Sequence, residues 1–224
     1  MDMELRKKSG NIINKNVHSV GIIALGSYLE NHGSALPIDT DIKISAYIGL
    51  MIAIKTGVKF LGTIVPSTEY EYVKHGFHNK KEDIIKYLEN IIKWGNRIGI
   101  KKYLIINCHG GNLIIEPLLK DLEKKYNIEI KMKNYTHTHA ATEEVSVGWA
   151  IGIVDETKLN SHNPNLYPEI GMVGLKEARE KNKDIDNEAR IVEYNGVIID
   201  KNLGKKLLKK YIDEGVEIIE KWVQ

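Results

Sequence analysis

The sequence predicts an α/β protein built on a mostly parallel central sheet. Along the 224-residue chain, short runs rich in Ile, Val and Leu alternate with longer segments of helical periodicity. Glycine, proline or polar residues bound each run, as they bound buried strands. The two loops richest in chemical groups each follow a strand-like run, where sites form in such sheets.

Five runs read as strands: 18–25, 59–65, 103–107, 129–134 and 147–154. Residues 41–55 carry Ile44, Ile48 and Met51 at helical spacing, with Gly57 as the expected stop. Residues 80–98 put Ile84, Ile85, Leu88, Ile91, Ile92 and Gly95 on one face, and Gly99 ends that helix. Residues 112–126 open at Asn112 as N-cap and turn Leu118, Leu119 and Leu122 inward. Around Asn195-Gly196, residues 190–199 read as two short strands of a hairpin. The last helix, 203–222, carries the stripe Leu207, Tyr211, Val216, Ile219 and Trp222.

Composition narrows the function. No proline, serine or charge tract divides the chain, so residues 1–224 read as one domain, large enough to bury a core without disulfides. A 42% hydrophobic and 28% charged sequence is ordinary for a globular protein, and a net charge of +2 argues for neither a nucleic-acid nor a membrane partner. The lone Cys108 fits a reducing compartment. With no signal-peptide core in the polar residues 1–16 and no membrane-length apolar run, the expectation is a cytoplasmic protein.

The loop 26–41 brings Glu30, His32 and Asp41 together between apolar residues and a helix start. Carboxylate and imidazole are the ligands of borderline divalent ions. Each residue also has an ordinary reading: Glu30 on the surface, His32 in a turn, Asp41 at a helix N-terminus. A second loop, Asn107-Cys108-His109-Gly110-Gly111-Asn112, offers His109 beside glycines that admit a substrate, a tight turn or an anion. Cys108 and His109 point to opposite faces of a strand, so Cys108 reads as a small buried residue. The segment 137–146 adds His139 as a proton carrier and Glu144 as a carboxylate, or simply acids at a helix start. His75 and His78 in the loop 70–79 stay undecided, and Trp149 reads as core.

Together these motifs resemble the creatininase-like family of metal-dependent amidohydrolases. Its first pattern, Gly-small-x-Glu-x-His-Gly, then Leu-Pro, then Thr-Asp, is met by Gly26, Glu30, His32, Gly33, Leu36, Pro37, Thr40 and Asp41. Its second, Asn-x-His-Gly-Gly-Asn, is met by Asn107, His109, Gly110, Gly111 and Asn112. The third, His-Ala-Gly-Glu-x-Glu-Thr-Ser, is met at His139, Ala140, Glu144 and Ser146 but broken at Ala141, Thr142 and Val145.

The resemblance implies a three-layer α/β/α fold and two divalent metal ions, ferrous iron first, with zinc or manganese as alternatives. In it Asp41 bridges the ions, Glu30 and His109 hold one, and His32 and Glu144 hold the other. A metal-bridging hydroxide attacks an amide-type carbonyl, with Asp41 and His139 as catalytic residues and His139 or a bound water the proton donor. Within the family the chain is most similar to a branch that removes formate from a formamidopyrimidine nucleotide, on the route to riboflavin and deazaflavin cofactors. Cyclic amide hydrolysis and small-peptide cleavage use the same centre, and a non-catalytic metal or nucleotide binder is the alternative. The implied partners are a small nucleotide substrate and further copies of the chain, with no nucleic acid and no membrane.

Overall fold

The computed structural model describes residues 15–224, so most of the polar N-terminal stretch lies outside the described residues. Strands β1 (Val20–Leu25), β2 (Lys59–Ile64), β3 (Lys102–Asn107) and β4 (Glu129–Asn134) form one sheet of order β2-β1-β3-β4. Every pairing is parallel. Helices α1 (Thr40–Thr56), α2 (Lys81–Arg97) and α3 (Glu116–Tyr126) make the crossovers. After them come α4 (Thr142–Ala150), α5 (Lys176–Lys181), α6 (Lys183–Asn195) and α7 (Lys201–Val223).

Strand side chains alternate between two cores, which makes three layers. Val20, Ile22, Leu104 and Ile106 pack with Ile44 and Ile48 of α1, Val147 of α4 and Leu208 and Ile212 of α7. Ile23, Leu25, Tyr103 and Ile105 pack with Ile84, Leu88 and Ile92 of α2 and Leu119 and Leu122 of α3. A third, smaller core joins Leu36, Ala140, Val145, Ile170 and Val192, and so ties α6 to the loops beyond the strand ends.

Four strands and the main helices stand where their periodicity predicts. Gly57 closes α1 in the left-handed region, φ 78°. In α7, Tyr211 and Ile219 are buried with Leu208 and Ile212, while Leu207, Val216 and Trp222 pack at the core's edge. Three expectations fail. The apolar run 147–154 is no strand: its first residues finish α4, where Val147 is fully buried. Short apolar runs do not separate a strand from a buried helix. The expected hairpin at 190–199 is the end of α6, whose C-cap is Gly196 at φ 67°. Asn-Gly serves a helix end as well as a hairpin turn. Asn112 caps no α-helix, because a 3-10 turn, Gly110–Ile115, precedes α3 and Pro117 sits in the first turn of α3. Trp149 is half-buried, with the Lys201 ammonium 4.7 Å from its ring centroid. No helix among the described residues is long and apolar enough to cross a membrane.

α4 and α7 meet where Gly204 lies against the backbone of Ser146, and a Cβ on Gly204 would run into that carbonyl. Gly204→Ala is expected to cost on the order of 1–3 kcal/mol. At roughly 2–4 °C of Tm per kcal/mol for a chain of this size, thermal unfolding reads it directly. An unchanged Tm would show that the helices can separate freely.

Candidate metal centre

All four strand ends feed one buried cluster. The chain leaves β1 for β2 on one side, whereas β3 leads to β4 on the other, so a crevice opens between β1 and β3. Gly26, at the end of β1, lies so close to the start of α1 that a Cβ would stand 2.6 Å from the Asp41 and Ile42 backbone. That approach, with Thr40 bonded through both N–H and hydroxyl to the Pro37 carbonyl, sets Asp41 in the first turn of α1 facing the crevice. Glu30 is held by its own N–H on the Ile38 carbonyl and by a bridge to Gly76. That bridge draws His75 and His78 inward.

Asp41 stands between two groups. One oxygen lies 3.1 Å from His32 Nε2 and the other 3.1 Å from His109 Nδ1. On the His109 side, Glu30 Oε1 is 3.0 Å from His109 Nδ1 and 2.7 Å from His78 Nε2, and Glu69 Oε2 is 3.6 Å from His109 Nε2. On the His32 side, Glu144 Oε2 is 3.8 Å from His32 Nε2 and accepts the Ala140 N–H at 2.6 Å. Ala140 holds φ 51°, uncommon for a residue with a Cβ, and aims that N–H at Glu144. His139 lies between His32 and His75, tilted to the first ring at 4.4 Å and edge-on to the second at 4.5 Å. Its Nε2 hydrogen-bonds the Asn31 carbonyl at 2.8 Å, leaving Nδ1 3.8 Å from Glu30 Oε2.

Glu30, His32, Asp41, His109, His139 and Glu144, the residues singled out in the sequence, are therefore buried in one place. His75 and His78, undecided there, join them. Glu69 is the residue sequence reading missed: it follows β2 in the same way that Glu30 follows β1, and the rule for strand carboxyl ends was the available signal. His162 was also missed. It is structural, spanning the Ala35 N–H at 3.1 Å and the Ala140 carbonyl at 2.8 Å. Cys108 is buried as expected. Gly111 lies against Thr68 and Glu69, whereas Gly110 faces open space. Asn112 bonds inward, to the Thr68 N–H and to Asn107. Thr142, where the family pattern has glutamate, accepts the Ile198 N–H instead.

The electrostatics are those of a cation site. Burial would raise Glu30, but the charge of His109 and hydrogen bonds from His109 and His78 hold it well below the usual carboxylate range. Burial and Glu30 both push Asp41 up, yet His32 and His109 bring it to about 2. Burial pushes His32 down, and Asp41 beside it raises it to about 9. His109 rises well above the imidazole range because Glu30 and Asp41 overcome its burial. Glu144 is pushed up to about 8 by burial. His139 is driven well below the imidazole range by burial and by His32 and His75. Glu30 Oε2, fully buried, has no aligned hydrogen bond. Three sets of atoms each converge within 4.8 Å: Glu30, Glu69, His78 and His109; Glu30, His32 and His139; and His32, Asp41 and Glu144. An orphaned carboxylate oxygen and mixed nitrogen and oxygen donors without thiolate fit divalent cations.

A parallel sheet that gathers buried imidazoles and carboxylates at its carboxyl edge defines an α/β enzyme with a candidate metal centre. More narrowly, the chain belongs to the creatininase (creatinine amidohydrolase) family, which it matches over residues 12–219, and is a hydrolase of non-peptide C–N bonds. A 2-amino-5-formylamino-6-ribosylaminopyrimidin-4(3H)-one 5'-monophosphate deformylase from Methanocaldococcus infernus is 60% identical, over 96% of this chain and 97% of its own. The protein of the same name from Methanococcus maripaludis is 56% identical over 99% of this chain and 100% of its own. Among solved structures, a creatinine amidohydrolase (creatininase) superposes with TM-score 0.64 at 14% identity, covering 92% of this chain and 91% of that one. A structure titled creatininase Mn superposes with TM-score 0.59 at 13% identity, covering 92% of this chain and 91% of that one, and shares the fold.

Because His32 and His109 carry protons that a cation would replace, metal loading is expected to release protons. Affinity should climb as pH rises toward about 9, where His32 deprotonates unaided. Calorimetric titration with Mn²⁺ in buffers of different ionisation heat reads both. Binding without proton release would remove these imidazoles from the ligand set.

Proposed function

We propose that the protein removes formate from 2-amino-5-formylamino-6-ribosylaminopyrimidin-4(3H)-one 5'-monophosphate. The observation that carries this reading is identity of 56–60% along nearly the whole chain with proteins of that name. The buried cluster supports it with groups suited to hydrolysis of an amide-type bond. In this reading Glu30 and His109, with Glu69 and His78 beside them, hold one divalent cation, His32 and Glu144 hold a second, and Asp41 faces both. Such cations supply Lewis-acid polarisation of the formamide carbonyl and acidify water beside it. Ferrous iron is the first choice, with zinc and manganese as alternatives.

The chain's own part is binding, orientation and proton transfer. Water adds to the formamide carbon, the C–N bond breaks, and formate and the arylamine leave; the amine nitrogen gains one of the water's protons and the other is released. His139 is suited to carry that proton at Nδ1, because Nε2–H is held by the Asn31 carbonyl. Burial and the charges of His32 and His75 favour the neutral ring, so His139 serves as a shuttle that takes a proton from the attacking water and passes it to the leaving nitrogen. The open side of Gly110 leaves room for the substrate. A single domain, a cytoplasmic location and assembly into homo-oligomers complete the proposal. The exposed Ile191, Tyr194 and Ile198 offer apolar surface for assembly.

The test is formate release from this nucleotide by metal-stripped protein reloaded anaerobically with Fe²⁺, Mn²⁺ or Zn²⁺. Release should require metal and fall at least ~10³-fold in Asp41→Ala, since a group shared by both sides of the centre is lost. His139→Gln should lower kcat on the order of 10²-fold while leaving metal content unchanged. No release by the loaded protein would overturn the substrate assignment.

A further inference from the structure

A cavity of about 230 Å³ is lined by His109, His139 and Glu69 of the cluster and by Gly110. Asp184 and Glu188, from the first turns of α6, stand among the residues that line it. They are four residues apart, one turn of helix, and so share a face. Burial disfavours the charged form of Glu188, and Thr138 beside it favours that form. Met172 and Ile185 give the cavity apolar sides suited to a flat ring. Among the described residues lining it, none is Lys or Arg. At the α6 end a phosphate would therefore meet only the Asp184 and Glu188 carboxylates. Lys74, Lys80 and Lys81, interleaved with Glu71 and Glu82, line a neighbouring cavity of about 780 Å³, which shares Glu69, Tyr70 and Val73 with the first.

We infer that Glu188, with Asp184 beside it, recognises the amino edge of an aminopyrimidinone and so sets which formamide the enzyme accepts. The inference rests on the proposed deformylase reading. In a pyrimidine ring C2 lies directly across from C5. With the 5-formylamino group at the buried cluster, the 2-amino group and the neighbouring N3–H therefore point away from it, toward α6. Those adjacent groups are two parallel donors, and a carboxylate accepts both at once. The ribosylamino arm, attached next to C5, leaves sideways and carries the phosphate toward the cavity with the lysines. Acid at one end and lysine at the other admit the nucleotide in this orientation and disfavour the reverse.

Glu188→Gln tests it, since glutamine keeps the length and the Thr138 contact but replaces one acceptor oxygen with a donor. For the metal-loaded enzyme, kcat/KM on the nucleotide is expected to fall on the order of 10- to 100-fold with metal content unchanged. Inhibition supplies a second readout. The unaltered enzyme should be inhibited more strongly by 2-aminopyrimidin-4(3H)-one than by pyrimidin-4(3H)-one, which lacks one donor, and Glu188→Gln should lose that preference. An unchanged kcat/KM, or a fall with the inhibitor preference intact, overturns the inference while the deformylase reading stands. No formate from the unaltered enzyme overturns both.

Discussion

The structure turns on the repulsion among four buried carboxylates. Glu30, Glu69, Asp41 and Glu144 converge on one crevice, and unit charges 4 Å apart repel by about 4 kcal/mol even at an effective dielectric of about 20. Such a group persists only with positive charge inside it. The imidazoles provide it in part, which is why His32 and His109 are raised and Glu30 and Asp41 lowered. Glu144 and Glu69, farther from these protons, are pushed upward by burial. A divalent cation on each side of Asp41 would neutralise the same charge in less space.

The fold meets this constraint by dividing it. Each of the four strand ends delivers one part: Glu30 after β1, Glu69 after β2, His109 after β3, and His139 and Glu144 after β4. Only the β1 loop carries two of the carboxylates, Glu30 and Asp41, and His109 from β3 stands between them at 3.0 and 3.1 Å. The parallel register, which sets Leu25 beside Asn107 and Asn107 beside Asn134, fixes these ends relative to one another. The apolar cores on both faces stabilise the register, and so stabilise the charge cluster at its edge.

What was legible in the sequence follows from range. Strands β1–β4 and helices α1, α2 and α7 announce themselves through local periodicity and terminal glycines, and the residues matching the family motifs lie together. The misread run 147–154 is apolar for a tertiary reason, packing between α1 and α7, and a short apolar run carries no period to reveal that. Asn195-Gly196 needs a left-handed residue in a hairpin or at a helix end, so the dipeptide cannot choose. His75 and His78 reach the cluster through the Glu30–Gly76 bridge, a contact between distant segments with no local signature.

The same division separates the chemistry from its selectivity. The groups suited to water activation sit at strand ends, where the sheet holds them rigidly. The wall facing them comes from α6, which is outside the sheet and tied down by the small core of Leu36, Ala140, Val145, Ile170 and Val192. Changes in α6 can therefore alter which molecule is held without moving a carboxylate of the cluster. Leu36 and Ala140 belong both to the site motifs and to that small core. The motif thus registers the wall against the cluster, and this gives a physical reason why residues that touch no reacting atom stand inside it.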